Sequence, residues 1–137
     1  MSDQQAVIDA NRAFYTAFQS LDLETMEKIW LRDSKIVCIH PGWRALTGWG
    51  PVMNSWERIF DGTFEMKFQV REVQVMMEAG LAVVVTEENL TQRGYDGAIS
   101  TQVLATNVYQ LASQKWWLIQ HHGSPVVRPA GQDTPLQ

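Results

Sequence analysis

Three histidines, His40, His121 and His122, are the only imidazoles in 137 residues, and each falls at the carboxyl end of a stretch that reads as a β-strand. An imidazole with its ordinary pKa of about 6.5 gives or accepts a proton near neutral pH. Side chains alternate along a strand, so Ile36, Cys38 and His40 share one face, as do Trp116, Leu118, Gln120 and His122, with His121 opposite. His40 and His122 are therefore expected to meet in one pocket. Glu87, Glu88 and Asn89 interrupt an apolar strand, and parity with Ala82 and Leu90 turns Glu88 inward. A buried carboxylate needs a partner or becomes protonated, which calls for His122, His40 or Arg44 nearby. Asn107 lies between Ala105 and Tyr109 on one strand face, where a buried amide must be bonded.

This set supports proton transfer first; two histidines with Glu88 would also make a 2-His-1-carboxylate metal set, which the spacing favours less because adjacent His121 and His122 point opposite ways. His40 acts as base, Glu88 and His122 tune it, and Asn107 donates to a developing oxyanion. Such general acid–base help is worth about 10²- to 10⁴-fold. Each residue also has a structural reading: a half-buried histidine bonded to the sheet, an exposed acidic pair, an amide that ties down a neighbour. Cys38 serves equally as a small core residue.

Six tryptophans occupy the chain, four of them between Trp30 and Trp56. Such rings fill a core or line a pocket. Trp43 and Trp49 are candidates for stacking at a pocket mouth, or for packing a loop on a helix. With Cys38, Tyr109, Gln120 and Phe14 they form the expected substrate-contact set.

These residues must be positioned by a recognisable series of elements. Val7, Ala10, Phe14, Ala17, Phe18 and Leu21 recur at helical spacing, and Ser2 with Gln5 resembles a capping box. Asp22 reads as the cap of a shorter helix burying Leu23, Met26, Ile29 and Trp30. A strand from Lys35 to His40 stops at Pro41-Gly42, a loop runs from Trp43 to Gly50, and Pro51 opens a third helix with Val52, Trp56, Ile59 and Phe60 inward.

The period then changes to two. Phe64, Met66, Phe68 and Val70 alternate, Val73, Val75 and Met77 follow on the opposite parity, and the switch predicts a bulge near Arg71-Glu72. Strands from Leu81 to Thr91, Ile99 to Leu111 and Trp116 to His122 follow, with links short enough for antiparallel pairing. Helices before a meander predict an α+β fold: three helices on the concave face of a cone-shaped, curved antiparallel sheet. Residues 1–125 read as one domain, and the proline-bearing 126–137 as an extended or disordered tail.

Composition narrows the function. Fifteen acidic against eleven basic residues give a net charge of −4, without the basic stripe that phosphate neutralisation requires, so nucleic acid is not expected. No apolar run reaches a membrane span, the amino end lacks a secretion pattern, and one cysteine fits a reducing cytoplasm. No HxH, HExxH, Walker loop, GxGxxG, GxSxG or CxxC pattern occurs, so neither metal nor cofactor is expected.

The segments Phe14 to Asp22, Ile39-His40-Pro41, Gly48 to Trp56 and Lys115 to Ser124 together resemble the nuclear transport factor 2-like superfamily, in its SnoaL-like and ketosteroid-isomerase-like branch. The last segment also resembles the association domain of calcium/calmodulin-dependent protein kinase type II, which assembles subunits. The resemblance implies a cone with a pocket between helices and sheet, and a homodimer through the sheet. In ketosteroid isomerases an aspartate base precedes the proline at the end of the first strand; His40 stands there. The oxyanion-hole tyrosine falls on Phe14 and the oxyanion-hole aspartic acid on Asn107, so steroid isomerisation is not implied. The expected function is a pocket that binds a small apolar or aromatic molecule and moves a proton on it. The competing expectation is a non-catalytic association module using Val73, Val75, Val108 and Trp117.

Overall fold

The computed structural model describes residues 3–127. Its elements, in chain order, are α1 (Asp3–Ser20), α2 (Leu23–Glu27), β1 (Val37–Ile39), β2 (Leu46–Thr47), α3 (Trp49–Asp61), β3 (Thr63–Glu78), β4 (Leu81–Gly94), β5 (Gly97–Ala112) and β6 (Lys115–Pro125). The six strands form one curved open sheet in the order β2-β1-β6-β5-β4-β3, with the helices against one face.

The α+β class follows from the sequence, with one correction: the sheet is mixed. β1 pairs parallel to β6, with Cys38 opposite His121, while every other neighbour is antiparallel. No short link joins β1 to β6, so link length does not fix their relative direction. Within the expected loop, Leu46–Thr47 forms β2 and pairs with β1. Ser2 of the proposed capping box lies outside the described residues, as does the tail from residue 128.

The shorter helix ends at Glu27 rather than at Trp30, which instead bridges Leu118 in parallel. Asp22 sits at the cap position, but its carboxylate accepts from the Thr25 hydroxyl at 2.6 Å rather than from a backbone N–H.

Register shifts decide which side chains face inward. Of the two in β3, one lies at Thr63/Glu65 and the other falls between Glu72 and Gln74, so exposed Val73 is the extra residue and Val75 turns onto the core. Val75 therefore leaves the expected outer-face set. On β6, Val108 pairs with Gln120 and the adjacent Tyr109 with Leu118, which makes Ile119 the extra residue. Beyond it the parity is inverted.

The core joins Phe14, Phe18, Met26, Trp30, Trp56, Phe60 and Leu118. The Trp56 ring meets Phe18 edge-on at 4.6 Å and Phe14 at 5.8 Å, both favoured aromatic geometries. Full burial of each such ring contributes about 1.5–3 kcal/mol, so this cluster fixes α1 and α3 against the sheet.

Candidate active site

His40 ends its strand in a tight turn. Its carbonyl accepts from Trp43 N–H at 2.8 Å, with Pro41 and Gly42 between them and Gly42 at φ +82. Pro followed by a glycine at positive φ defines a type II turn, which folds the chain back on itself. The Trp43 ring thereby lies 4.8 Å from the His40 ring, and Trp56 meets it edge-on at 4.7 Å. Gly123 on β6 permits the close approach of Pro41: a Cβ there would lie 3.2 Å from the proline ring.

The His40 tautomer follows from its partners. Ser55 Oγ lies 2.6 Å from Val52 O, a separation that requires the hydroxyl proton between the two oxygens. Ser55 therefore accepts from His40 Nε2–H at 2.9 Å, leaving Nδ1 a lone pair. Cys38 Sγ is 4.0 Å from Nδ1, and burial pushes its thiol well above the ordinary range. Burial also lowers His40 to about 4, so it is neutral at pH 7.

A second polar group is built from α1, β4, β5 and β6. Tyr15 donates to Glu88 Oε2 at 2.5 Å and accepts from Asn107 Nδ2 at 3.1 Å. Asn107 Nδ2 also donates to Asn11 Oδ1 at 2.9 Å, while Asn107 Oδ1 accepts from His121 Nδ1–H at 2.6 Å. Tyr109 donates to Asn11 Oδ1, and Asn11 donates to Thr86 Oγ1, which closes the network. With Nδ1 protonated, His121 keeps its lone pair on Nε2. Burial first, and then the neighbouring histidines, lower His121 to about 3. Burial raises the Glu88 carboxyl to about 7, a rise the Tyr15 hydrogen bond partly opposes. Tyr15 is pushed well above its usual value by burial and by the Glu88 charge.

These groups meet at a cavity of about 320 Å³, whose wall includes His40, Trp43, Glu88 and His121 with Phe18, Ile59 and Met66. Half-buried Gln92 and Thr101 stand at its rim. A larger open groove of about 470 Å³ crosses Lys67, Asn89 and Thr101, but it holds neither histidine nor Glu88.

The placement corrects several expectations. His122 is exposed, and Gln120 pairs with outward Val108, so both lie on the outer sheet face; the Ile119 bulge puts His121 in the cavity instead. Trp49 lies away from the cavity, under the Arg32 guanidinium at 4.2 Å. Phe14 and Tyr109 are fully buried behind the wall, Phe14 supporting the His121 ring at 4.9 Å. Cys38 sits behind His40. Asn107 has both amide hydrogens committed within the network, so it positions its neighbours and offers nothing to an oxyanion. Glu88 does face inward, but its bonded partner is Tyr15 rather than a histidine or Arg44. Glu87 points out and pairs with Arg71 at 3.0 Å. Among the described residues no group of three His, Cys, Asp or Glu side chains is placed to hold a metal ion.

Tyr15, Asn11 and Ser55 carry no site expectation in the sequence, and strand parity puts His121 on the wrong face. Asn11 and Tyr15 were detectable, because Val7, Asn11, Phe14, Tyr15 and Phe18 form the buried stripe of α1 and two of its members are polar. Ser55 carries no such mark beyond its position one residue before Trp56.

Comparison with known proteins agrees with this architecture. The SnoaL-like domain family matches residues 7–128. The chain is 28% identical over 120 residues to the Arabidopsis thaliana F-box protein SKIP8, an alignment that covers 88% of this chain and 49% of that protein. It thus spans about half the length of the curated relative it matches. A candidate dehydratase of the NTF2-like family from Streptomyces avermitilis superposes with a TM-score of 0.86 at 33% identity, covering 92% of this chain and 97% of the other. A candidate calcium/calmodulin-dependent protein kinase type II association domain from Thiobacillus denitrificans gives 0.78 at 33% identity, over 86% and 93% of the two chains. With a cone of helices and sheet around a polar-lined cavity, and a match over nearly its whole length, the chain belongs to the SnoaL-like domain family of the NTF2-like superfamily.

Proposed function

We propose that the cavity binds a compact apolar or aromatic molecule and moves a proton on it, with Glu88 as the acid/base group. The observation that carries this reading is a buried carboxyl raised to about 7, one oxygen held by Tyr15 and the other left on the cavity wall. A group that titrates near the working pH serves best as both base and acid. His40, lowered to about 4, is too weak a base to take the proton, and it shapes the wall beside Trp43 instead. The 33% identity to a candidate dehydratase supports a lyase-like use, since loss of water also takes a proton from carbon and gives one to the leaving hydroxyl. The reading places the protein in a reducing cytoplasm, where its single buried thiol stays free.

The test needs no known product. Bicyclic hydroxyketones, which carry a hydroxyl as well as an exchangeable C–H, are incubated with the protein in D2O, and deuterium entry beside the carbonyl is followed by NMR. The wild type is expected to catalyse exchange and Glu88→Gln to lose it by at least about 100-fold. Equal exchange in the two proteins removes Glu88 from the chemistry.

A second reading, an association module, is favoured by the 33% identity to a candidate association domain and by the uncovered outer face of the sheet, where Leu81 and Leu104 are exposed beside half-buried Val83, Val108 and Trp117. A homodimer through that face suits either reading. Scattering-detected size exclusion that shows a stable dimer, together with no exchange on any probe, favours association alone.

A further inference from the structure

Resting on the pocket reading above, we infer that the ligand is a neutral alcohol or phenol that enters as a hydrogen-bond donor, its hydroxyl seated between Glu88 Oε1 and His121 Nε2. Three buried polar side chains line the cavity, and each is held so that it presents a lone pair. His121 spends its proton on Asn107, His40 spends its own on Ser55, and Glu88 Oε2 is occupied by Tyr15. Oε1 and His121 Nε2 have no hydrogen-bond partner among the described residues. His40 Nδ1 has only the weak Cys38 thiol near it.

The donors behind the wall are committed as well. Both amide hydrogens of Asn107 and the Tyr15 hydroxyl point into the network. The unpaired indole N–H groups of Trp30 and Trp56 belong to residues that do not line the cavity. At this inner end, with Glu88 ionised, a ligand carbonyl would thus set its oxygen against two lone pairs, whereas a hydroxyl gives its hydrogen to one of them; the donors of Trp43, Gln92 and Thr101 also line the cavity, but on partly exposed side chains. A site built of acceptors selects against an isostere that lacks the donor, because its own groups are then left unpaired. An amide cannot relay protons as a phenol or carboxyl does, so Asn107 holds Glu88 and His121 in register without letting them exchange a proton directly. A hydroxyl lying between them supplies that route.

The experiment uses the full chain and three molecules on one frame: 1-indanol, 1-indanone and 1-aminoindane. Binding is measured by calorimetry and by shifts of the Glu88 and His121 side-chain signals, at a pH well above 7 where Glu88 is ionised and offers no hydrogen of its own. The alcohol is expected to bind at least about tenfold more tightly than the ketone, with both side-chain signals moving. Equal or tighter binding of the ketone overturns the donor inference while leaving the pocket. Preference for the amine replaces a neutral ligand with a cation. Failure of all three to bind or move either signal removes the pocket reading and the inference with it.

Discussion

Tyr15 and Glu88, 73 residues apart, meet through a phenol that donates to carboxylate Oε2 at 2.5 Å, both groups buried and only Glu88 reaching the cavity wall. The contact joins the middle of α1 to the middle of β4, and it leaves one carboxylate oxygen open. The Asn107 amide fixes the phenol from the other side, so the geometry of Glu88 is set by α1 and β5 together.

The raised pKa of Glu88 makes stability depend on pH. Its folded value, about 7, lies above its ordinary value of 4.5, so the folded state holds its proton more tightly. Stability from this group is full below pH 4.5 and is lost as pH rises towards and through about 7, an amount of about 3 kcal/mol. Denaturant titrations of wild type and Glu88→Gln at pH 4 and pH 8 isolate it. The stability of the wild type relative to the variant is expected to fall by that amount between the two; a constant difference contradicts the buried titration.

Tyr15→Phe removes the hydroxyl that favours the Glu88 carboxylate. The Glu88 pKa is expected to rise further, and the base limb of the exchange profile to move to higher pH. Asn107 Nδ2 loses one of its two acceptors, with a stability cost of about 1–3 kcal/mol. An unmoved profile in a folded variant shows that the bond does not govern the carboxyl.

The two cavity histidines are expected to be opposite tautomers, His40 protonated at Nε2 and His121 at Nδ1. Long-range proton–nitrogen spectra of the imidazoles report this directly. Both folded pKa values lie below 6.5, so their contribution to stability is present above that pH and is lost as pH falls towards about 4 for His40 and about 3 for His121. The rings should therefore remain neutral at pH 5.5; a charged ring at that pH, or matching tautomers, breaks the assignment.

Trp43→Ala takes away the ring that packs on His40 and closes part of the cavity wall. Because Trp43 is 38% exposed, the fold should lose only about 1 kcal/mol, well short of a core truncation. Binding of 1-indanol should weaken about fivefold or more through lost stacking. Undiminished affinity places the ligand away from this wall.

By itself the sequence determined what depends on short-range physics. The change of hydrophobic period gave helices first and a meander after; Pro41-Gly42 forced the turn beneath His40; the parity of β4 turned Glu88 in and Glu87 out. Each of these is set by a few neighbouring residues. Only the tertiary structure decided that His121, not His122, enters the cavity, because parity counted from Leu118 holds until one extra residue, Ile119, inverts it. It also decided that Tyr15 holds Glu88, that β1 runs parallel to β6, and that Trp49, Gln120 and Tyr109 stay outside the cavity. Those relationships depend on strand register and on how α1 lies across the sheet. Register is fixed by the packing of the whole core, which local spacing does not encode.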